Sequence, residues 1–295
     1  YCIVDESSQV SMPVCLGPLG FCDKFVLVGD HYQLPPLIIN PDARAGLSKS
    51  LFKTLSEKFP EAVVDLTHQY RMCSDIMLLS NTIIYEGRLK CGSEEIANQS
   101  LKIPKLNNLK GTFPENLDLK DRWIENILDE NKKVLFLNHD PVGGCEETSS
   151  KENIENVKEA DLIFQIVEAM LLCGVPESSI GVMSFYRAQL RLFYRKFARR
   201  KDIEMLTADQ FQGRDKDCVI ISMVKSNDRN DAVRLLKEWR RVNVAITRAR
   251  AKLIIVGSKR TLQNLRTINA FMNILDTRGW FYDLPFKADT FYSFA

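Results

Sequence analysis

Short apolar, β-prone runs recur along the chain and alternate with stretches of helical periodicity. These runs occupy residues 1–4, 25–28, 62–66, 133–138, 180–183, 219–224 and 252–256. In one intervening stretch, apolar residues at 157, 160, 163, 164, 167, 170 and 171 follow the period of a helix. Continuous apolar runs that alternate with helices predict an α/β fold in which buried parallel strands are flanked by helices.

Acidic residues lie just after the first two of these runs. Asp5 and Glu6 come after residues 1–4, and Asp30 and Gln33 follow the second run. In a parallel α/β sheet, ligands bind in the crevice at the carboxyl ends of the strands. One carboxylate there can bind a hydrated Mg²⁺ ion, and its neighbour can orient or deprotonate a water that attacks a phosphoryl group. Gln33 can hydrogen-bond a terminal phosphate. Taken alone, the motif at Asp5 and Glu6 is also explained by an ordinary acidic turn. The motif at Asp30 and Gln33 is also explained by a proline-stiffened surface loop.

Two further candidates lie at the ends of predicted elements. Arg71 precedes a predicted helix, where its guanidinium is placed to bind a phosphate through two hydrogen bonds. A surface arginine is the alternative. Tyr186 follows the predicted strand 180–183 and suits base stacking, with simple packing as the other interpretation.

Two polar segments complete the set of candidates. The segment 207–217 joins two strand-like stretches, and its candidate phosphate contacts are Thr207, Gln210 and Gln212. Within it, Gly213 would allow close approach of the backbone to a ligand. Residues 242–250 are predicted as a helix, in which Arg248 faces whatever packs against that helix.

Composition narrows the classes of protein. The chain has 295 residues, 45% hydrophobic and 26% charged, which is ordinary for one large or two smaller globular domains. The net charge of +2 means that nucleic-acid binding would depend on local lysine and arginine placement. Eight cysteines occur without any C-x-x-C pair, which argues against a zinc ribbon or iron–sulfur motif and favours a reducing compartment. No apolar run has the length of a membrane span.

Five segments in order resemble the motifs of a known enzyme family. The segments DESSQ (5–9), VGDHYQLPP (28–36), QYRM (69–72), TADQFQGRDKD (207–217) and VNVAITRAR (242–250) resemble motifs II to VI of superfamily 1 helicases. The intervening sequence resembles the bifunctional helicase–nucleases of eukaryotic Okazaki-fragment maturation, in a fungal version. RNA helicases of the nonsense-mediated-decay type are the alternative, as is a nucleic-acid-binding module that retains the fold without catalysis.

The resemblance implies a P-loop NTPase helicase core with RecA-like parallel sheets. Residues 1–60 would be the C-terminal part of a truncated first domain, and residues 61–295 the second domain with a loop-rich insertion at about 88–133. It also implies ATP with Mg²⁺, 5′-to-3′ movement on single-stranded or flapped DNA, and replication proteins such as single-strand-binding protein as partners. The expected location is the nucleus, with the mitochondrion as an alternative.

The same resemblance implies a role for each candidate residue. Asp5 resembles the Mg²⁺ ligand, Glu6 the catalytic base and Gln33 the γ-phosphate sensor. Arg71 and Arg248 resemble the two arginine fingers that act on the γ-phosphate. The remaining assignments are Gly213 and Asp215 near the nucleotide, and Thr207 and Gln210 on the nucleic-acid strand.

The chain departs from the family pattern at one motif. The phosphate-binding loop G-x-x-x-x-G-K-[ST] is absent, and no Gly-Lys dipeptide occurs in the 295 residues. We therefore expect the chain to be the C-terminal part of a larger enzyme, and to hydrolyse no ATP alone. The resemblance places the nuclease region and its iron–sulfur cysteines outside this sequence.

Overall fold

The computed structural model describes residues 1–111, 122–150, 153–211, 213–227, 239–263 and 269–292. The chain forms two compact units, Tyr1–Thr67 and His68–Ala295. The predicted boundary was at residues 60/61, and the assignment of the units to first and second RecA-like domains stays a prediction.

The unit Tyr1–Thr67 contains a two-stranded parallel sheet and three helices. Strand β1 (Cys2–Val4) pairs with β2 (Phe25–Leu27), and helix α1 (Met12–Leu19) lies between them in sequence. Helices α2 (Arg44–Leu47) and α3 (Leu51–Lys58) follow. Ser50 caps α3, because its side chain accepts a hydrogen bond from the Lys53 amide at 3.1 Å.

The burial predicted for the first strands was wrong. Ile3 is 72% exposed, and about half of the Val26 surface is exposed. The reason is that a sheet of only two strands leaves most of its apolar side chains uncovered. The strand predicted at 62–66 is also absent, because Pro60–Ala62 form a single 3₁₀ turn and residues 63–67 have no regular structure.

The unit His68–Ala295 is built on a six-stranded parallel sheet. Its strands are β5 (Val134–Asn138), β8 (Ile180–Ser184), β9 (Glu204–Thr207), β10 (Lys216–Ser222), β11 (Ala249–Gly257) and β12 (Phe281–Asp283). The strand order is β12-β5-β11-β10-β8-β9, and every pairing is parallel. All residues of β5 and β8 are buried, as their continuous apolar sequence predicts. The predicted α/β class with a helix-flanked parallel sheet is therefore confirmed.

Helices and two small sheets complete this unit. The helices are α4 (Ser74–Ile83), α5 (Glu94–Asn98), α6 (Trp123–Ile127), α7 (Val157–Leu172), α8 (Arg187–Lys196), α9 (Trp239–Ile246), α10 (Lys259–Gln263) and α11 (Asn269–Thr277). The small sheets pair β3 (His68–Gln69) with β4 (Lys90–Cys91), and β6 (Thr148–Ser150) with β7 (Asn153–Glu155). Within the described ranges, no helix combines the length and apolar character needed to cross a bilayer.

The prediction of one helix over residues 242–250 was wrong at its end. Helix α9 stops at Ile246, and strand β11 already begins at Ala249. The reason is tertiary, because Ala249 pairs with Lys216 at the start of the neighbouring strand. Pairing within the central sheet outweighs the helical pattern of the segment.

Candidate functional site

The two acidic residues after β1 lie in an exposed turn. Glu6 has φ +48°, which is uncommon for a residue with a side chain. The Glu6 amide donates to Asp5 Oδ1 at 2.9 Å, and Gln9 Nε2 donates to Glu6 Oε2 at 2.7 Å. Both carboxylates therefore stay accessible, and short local hydrogen bonds fix their direction.

The end of β2 supports this turn through two hydrogen bonds. Ser7 donates from its amide and from its hydroxyl to the Val28 carbonyl, at 2.8 and 2.7 Å. A Cβ atom on Gly29 would lie 2.9 Å from the Ser8 amide nitrogen. Gly29 is therefore needed because two backbone segments approach each other closely.

The loop after β2 holds Asp30 and Gln33 together. Gln33 Nε2 donates to Asp30 Oδ2 at 3.0 Å, and the Tyr32 amide donates to Asp30 Oδ1 at 2.9 Å. Because β1 and β2 are neighbours in register, Asp5 and Asp30 follow adjacent strand ends. Exposed carboxylate oxygens are ligands that Mg²⁺ accepts together with water and phosphates, so the donor set at Asp5 fits that ion.

In the larger unit, one carboxylate joins two arginines from distant parts of the chain. Arg71 Nε lies 3.1 Å from Asp215 Oδ2, and Arg250 Nη2 lies 2.5 Å from Asp215 Oδ1. The Arg71 side chain is 35% exposed. Asp215 and Arg250 lie at the amino-terminal ends of β10 and β11. The sheet therefore presents an oriented, accessible guanidinium at that edge.

Side-chain amides fix the backbone around Arg71. Gln69 Oε1 accepts from the amides of Arg71 and Met72, at 2.9 and 2.7 Å, and Gln69 Nε2 donates to the Met72 carbonyl at 2.8 Å. Gln99 Nε2 donates to the carbonyls of Arg71 and Arg250. One glutamine thus shapes the turn, and the other connects it to β11.

Arg248 reaches the same region but is almost fully buried, at 3% exposure. Its Nε donates to the Val244 carbonyl at 2.9 Å and its Nη2 to Thr247 Oγ1 at 3.1 Å. A cation there is favourable, because it lies at the carboxyl end of helix α9, where the helix dipole is negative. Arg71 Nη1 donates to the Thr247 carbonyl at 3.4 Å, so both predicted fingers lie beside one turn. The γ-phosphate role of Arg248 stays a prediction.

The segment predicted to contact nucleic acid has two distinct parts. Thr207 Oγ1 donates to Gln210 Oε1 at 3.1 Å on the exposed surface at the end of β9. Gly213 has φ +79°, and no atom of the described chain lies within 4 Å of where its Cβ would be. Backbone conformation therefore explains this glycine, and its predicted approach to a ligand is untested. Gln212 lies outside the described residues.

Tyr186 is a core residue in the structure. It belongs to a buried apolar cluster with Phe185, and burial raises the pKa of its hydroxyl. Lys225 Nζ lies 6.0 Å from the centre of its ring. Its role as a nucleic-acid contact stays a prediction.

A buried ion pair organises the opposite, carboxyl edge of the sheet. His139 Nε2 lies 3.1 Å from Glu159 Oε2, and both side chains are fully buried. Burial alone lowers the pKa of His139, but the Cys145 thiol and the Glu159 carboxylate together raise it to about 10. Glu159 also accepts from the amide of Val224, which has φ +67°. The pair thus holds a strained turn after β10.

Three residues that surround Arg71 were missed in the sequence analysis. Arg250 is exposed between the buried residues Ala249 and Ala251 at the start of β11, and it was missed because its segment was predicted to be helical. Gln69 was noted only as part of a motif. No pattern in the sequence connects Gln99 with residue 250, because that contact depends on the tertiary fold.

Comparison with known proteins identifies the class. A family model described as an AAA domain matches residues 47–260, and another with the same description matches residues 1–41. The chain belongs to this AAA domain family. That membership fits the predicted P-loop NTPase helicase core.

Particular relatives carry one shared name. The chain is 53% identical over 287 residues to the "DNA replication ATP-dependent helicase/nuclease DNA2" of Saccharomyces cerevisiae, covering 96% of this chain and 19% of that protein. It is 44% identical over 288 residues to the human protein of the same name, covering 97% and 27%. The chain thus spans about a fifth to a quarter of the length of these relatives. The chain also aligns with a solved structure of the PRRSV helicase at 14% identity and a TM-score of 0.42, over 89% of this chain and 36% of that one.

Proposed function

We propose that this chain is part of an ATP-dependent motor that moves 5′ to 3′ along single-stranded DNA. The parent protein would also cleave single strands, and would act on flaps during DNA replication and repair. Five helicase-like motifs in order support the motor, and the shared name of the relatives supports the substrate and the nuclease. The protein would act in the nucleus, with the mitochondrion as a second location.

One observation carries the proposal: Asp215 joins two arginines across the fold. Arg71 precedes it by 144 residues, yet the two side chains form an ion pair. A carboxylate that orients a partly exposed guanidinium places it to stabilise negative charge on a bound anionic group. In phosphoryl transfer that charge develops on the oxygens of the transferred group, which an oriented arginine stabilises without reorganisation.

The acidic turn would supply the remaining chemistry. Asp5 would hold Mg²⁺, which when bound neutralises charge on the phosphates. Glu6 would take the proton of the attacking water, and its exposed carboxylate is already oriented by Gln9. Gln33 would hydrogen-bond the terminal phosphate, and Gly213 and Asp215 would lie near the nucleotide. Arg248 would join Arg71 at the γ-phosphate.

The partner would be a single DNA strand, bound at Thr207 and Gln210 with Tyr186 as a further contact. The exposed hydroxyl and amide suit phosphate and sugar contacts that do not depend on base sequence. Single-strand-binding protein would be a replication partner, and an iron–sulfur cluster would belong to the nuclease region outside this chain.

Asp215→Asn in the full-length protein tests the proposal. The neutral amide would leave Arg71 misplaced, and a misplacement of about 1 Å can cost roughly 10²-fold in rate. We expect strand-stimulated ATP hydrolysis to fall about that much, with little change in nucleotide affinity. Asp217→Asn is the matched control, because Asp217 contacts Arg250 at 3.6 Å and not Arg71.

Equal rates for the two variants would contradict the role of Asp215. Running the assay with DNA and RNA strands of the same sequence separates the DNA motor from the RNA helicase alternative. Stimulation by RNA alone would favour the latter.

A further inference from the structure

Helix α8 has an unusual charge distribution. Its ten residues, RAQLRLFYRK, include four basic residues and no acidic residue. Arg187, Arg191 and Arg195 are all exposed and follow each other at intervals of four positions. At a rise of 1.5 Å per residue, successive arginines are about 6 Å apart along the helix axis. We call Arg187, Arg191, Tyr194 and Arg195 the outer face of α8.

Cations on and just after the other side of this helix have acidic partners. Lys196 pairs with Asp161, and Arg200 pairs with Glu168 and Glu177. By contrast, in the part of the chain that the structure describes, no carboxylate forms an ion pair with an arginine of the outer face. Arg191 does donate to Asn153 Oδ1, at 2.6 Å. The outer face thus retains its positive charge, whereas the other side is neutralised.

Folding alone does not explain this placement. Arg187 is the first residue of α8, where the positive end of the helix dipole disfavours a cation, and the first turn has no acidic residue. Three like charges at four-residue intervals also repel one another. An anionic partner would remove both penalties.

Tyr194 indicates what that partner is. Its side chain is 51% exposed, yet its hydroxyl donates to the Met205 carbonyl of β9 at 2.7 Å. The ring is therefore held in place at the edge of the sheet, between Arg191 and Arg195 in sequence. A fixed, exposed aromatic ring among arginines is the arrangement on which unpaired bases stack while phosphates are neutralised.

The outer face begins beside the predicted strand contacts. Helix α8 follows β8, and the last residue of β8, Ser184, pairs with Thr207 at the end of β9. Thr207 and Gln210 are the residues proposed above to contact a single strand. A strand leaving them would meet Arg187 first.

We propose that the outer face of α8 is an additional binding surface for single-stranded DNA. The arginines bind phosphates through their planar forks, and Tyr194 stacks on a base. This assignment rests on the proposed function. A duplex or an acidic peptide lacks the unpaired base that Tyr194 would take.

Binding of a fluorescent oligo(dT) strand to the full-length protein, measured by anisotropy over a range of salt concentrations, tests the surface. In R191E/R195E we expect affinity at low salt to fall at least tenfold. The salt slope should become shallower by about 1.4, because each phosphate contact on a single strand contributes about 0.7. R191Q/R195Q, which removes charge without reversing it, should show the same change of slope. K105E/R278E alters two exposed cations elsewhere and should bind like the wild type.

The tyrosine gives a second, independent measurement. Y194A should weaken binding at least about fivefold, since stacking of one base contributes roughly 1–3 kcal/mol in such sites. Y194F retains the ring but loses the hydrogen bond to Met205, so it should lose less affinity than Y194A. Equal losses in Y194A and Y194F would overturn the stacking assignment.

The outcomes separate the surface from the proposed function. If the wild type binds oligo(dT) and the arginine variants bind equally well, the surface is wrong and the motor proposal stands. If the wild type binds no single strand, both fail. Variants that lose only duplex or polyglutamate binding would overturn the assignment to a single strand.

Discussion

Two regions are held in opposite ways: the acidic turn, formed by Asp5 and Glu6, and the arginine cluster, formed by Arg71, Arg250 and Asp215. In the unit Tyr1–Thr67, the carboxylates of Asp5, Glu6 and Asp30 accept hydrogen bonds from residues one to three positions away. In the unit His68–Ala295, Arg71 contacts residues 144 and 176 positions away. Local hydrogen bonds therefore orient the carboxylates, although the end of β2 also supports the turn itself through Ser7 and Val28. The arginine cluster exists only when the whole sheet has formed.

This difference predicts how each region responds to mutation. Changes in the acidic turn should affect chemistry and leave the fold intact, because the carboxylates are exposed. Changes in the buried part of the larger unit should affect stability first, because its charges are desolvated and paired.

Within the acidic turn, the largest effect is expected at the exposed base. Glu6→Gln in the full-length protein should lower ATP hydrolysis by about 10²–10⁴-fold, the usual contribution of a positioned general base. Nucleotide affinity should stay nearly unchanged, since the amide keeps the shape of the side chain. Steady-state hydrolysis and equilibrium nucleotide binding measure the two quantities, and Glu61→Gln, at another exposed position of this unit, is the control.

ATP turnover in Glu6→Gln equal to that of the wild type would remove Glu6 from the chemistry. It would also leave the acidic turn without a function that distinguishes it from an ordinary surface turn.

The buried ion pair should produce a pH-dependent stability. The pKa of His139 is about 10 in the folded state and about 6.5 in the unfolded chain, so the folded state binds more protons between these values. Its contribution is fully present below pH 6.5 and is lost as pH rises through 10. We expect this loss to be on the order of a few kcal/mol.

Urea unfolding of the wild type and His139→Gln across pH 6 to 10 measures this contribution. The comparison cancels the titration of other groups. If the two proteins lost stability in parallel over this range, His139 would not be protonated in the fold.

The smallest effect is expected at Gly29. An added methyl group at Gly29→Ala would meet the Ser8 backbone at 2.9 Å, and overpacking of this kind typically costs about 1–3 kcal/mol. Hydrogen exchange of the β1 and β2 amides should accelerate correspondingly. Gly17→Ala in helix α1 is the control, because nothing lies within 4 Å of its added methyl group. Equal exchange in both variants would contradict the close approach of the two backbone segments.

Gly29 and Gly213 show how much a residue type alone can predict. At Gly29 the constraint is the close approach of the Ser8 backbone. At Gly213 the constraint that the structure shows is a positive φ, and the close approach to a ligand that the sequence predicts stays a prediction. The residue type reveals that a constraint exists, but only the surrounding chain reveals which constraint it is.

The burial of the strands also depends on the surrounding chain. The continuous apolar runs at β5, β8 and β10 predicted buried central strands, because burial on both faces requires such a sequence. A similar run at β1 is largely exposed, since burial depends on covering elements that its own sequence does not specify. Arg250 was missed because pairing of β11 with β10, rather than local propensity, ends the preceding helix.

The most direct test of the central claim is a double-mutant cycle on Arg71 and Arg248 in the full-length protein. ATP hydrolysis is measured at saturating single-stranded DNA for Arg71→Ala, Arg248→Ala and the double variant. If both act on the transferred phosphate, each single variant should lose roughly 10³–10⁵ in rate, and the double variant much less than the product. Single variants with rates near the wild type, and an additive pair, would show that these arginines take no part in the chemistry.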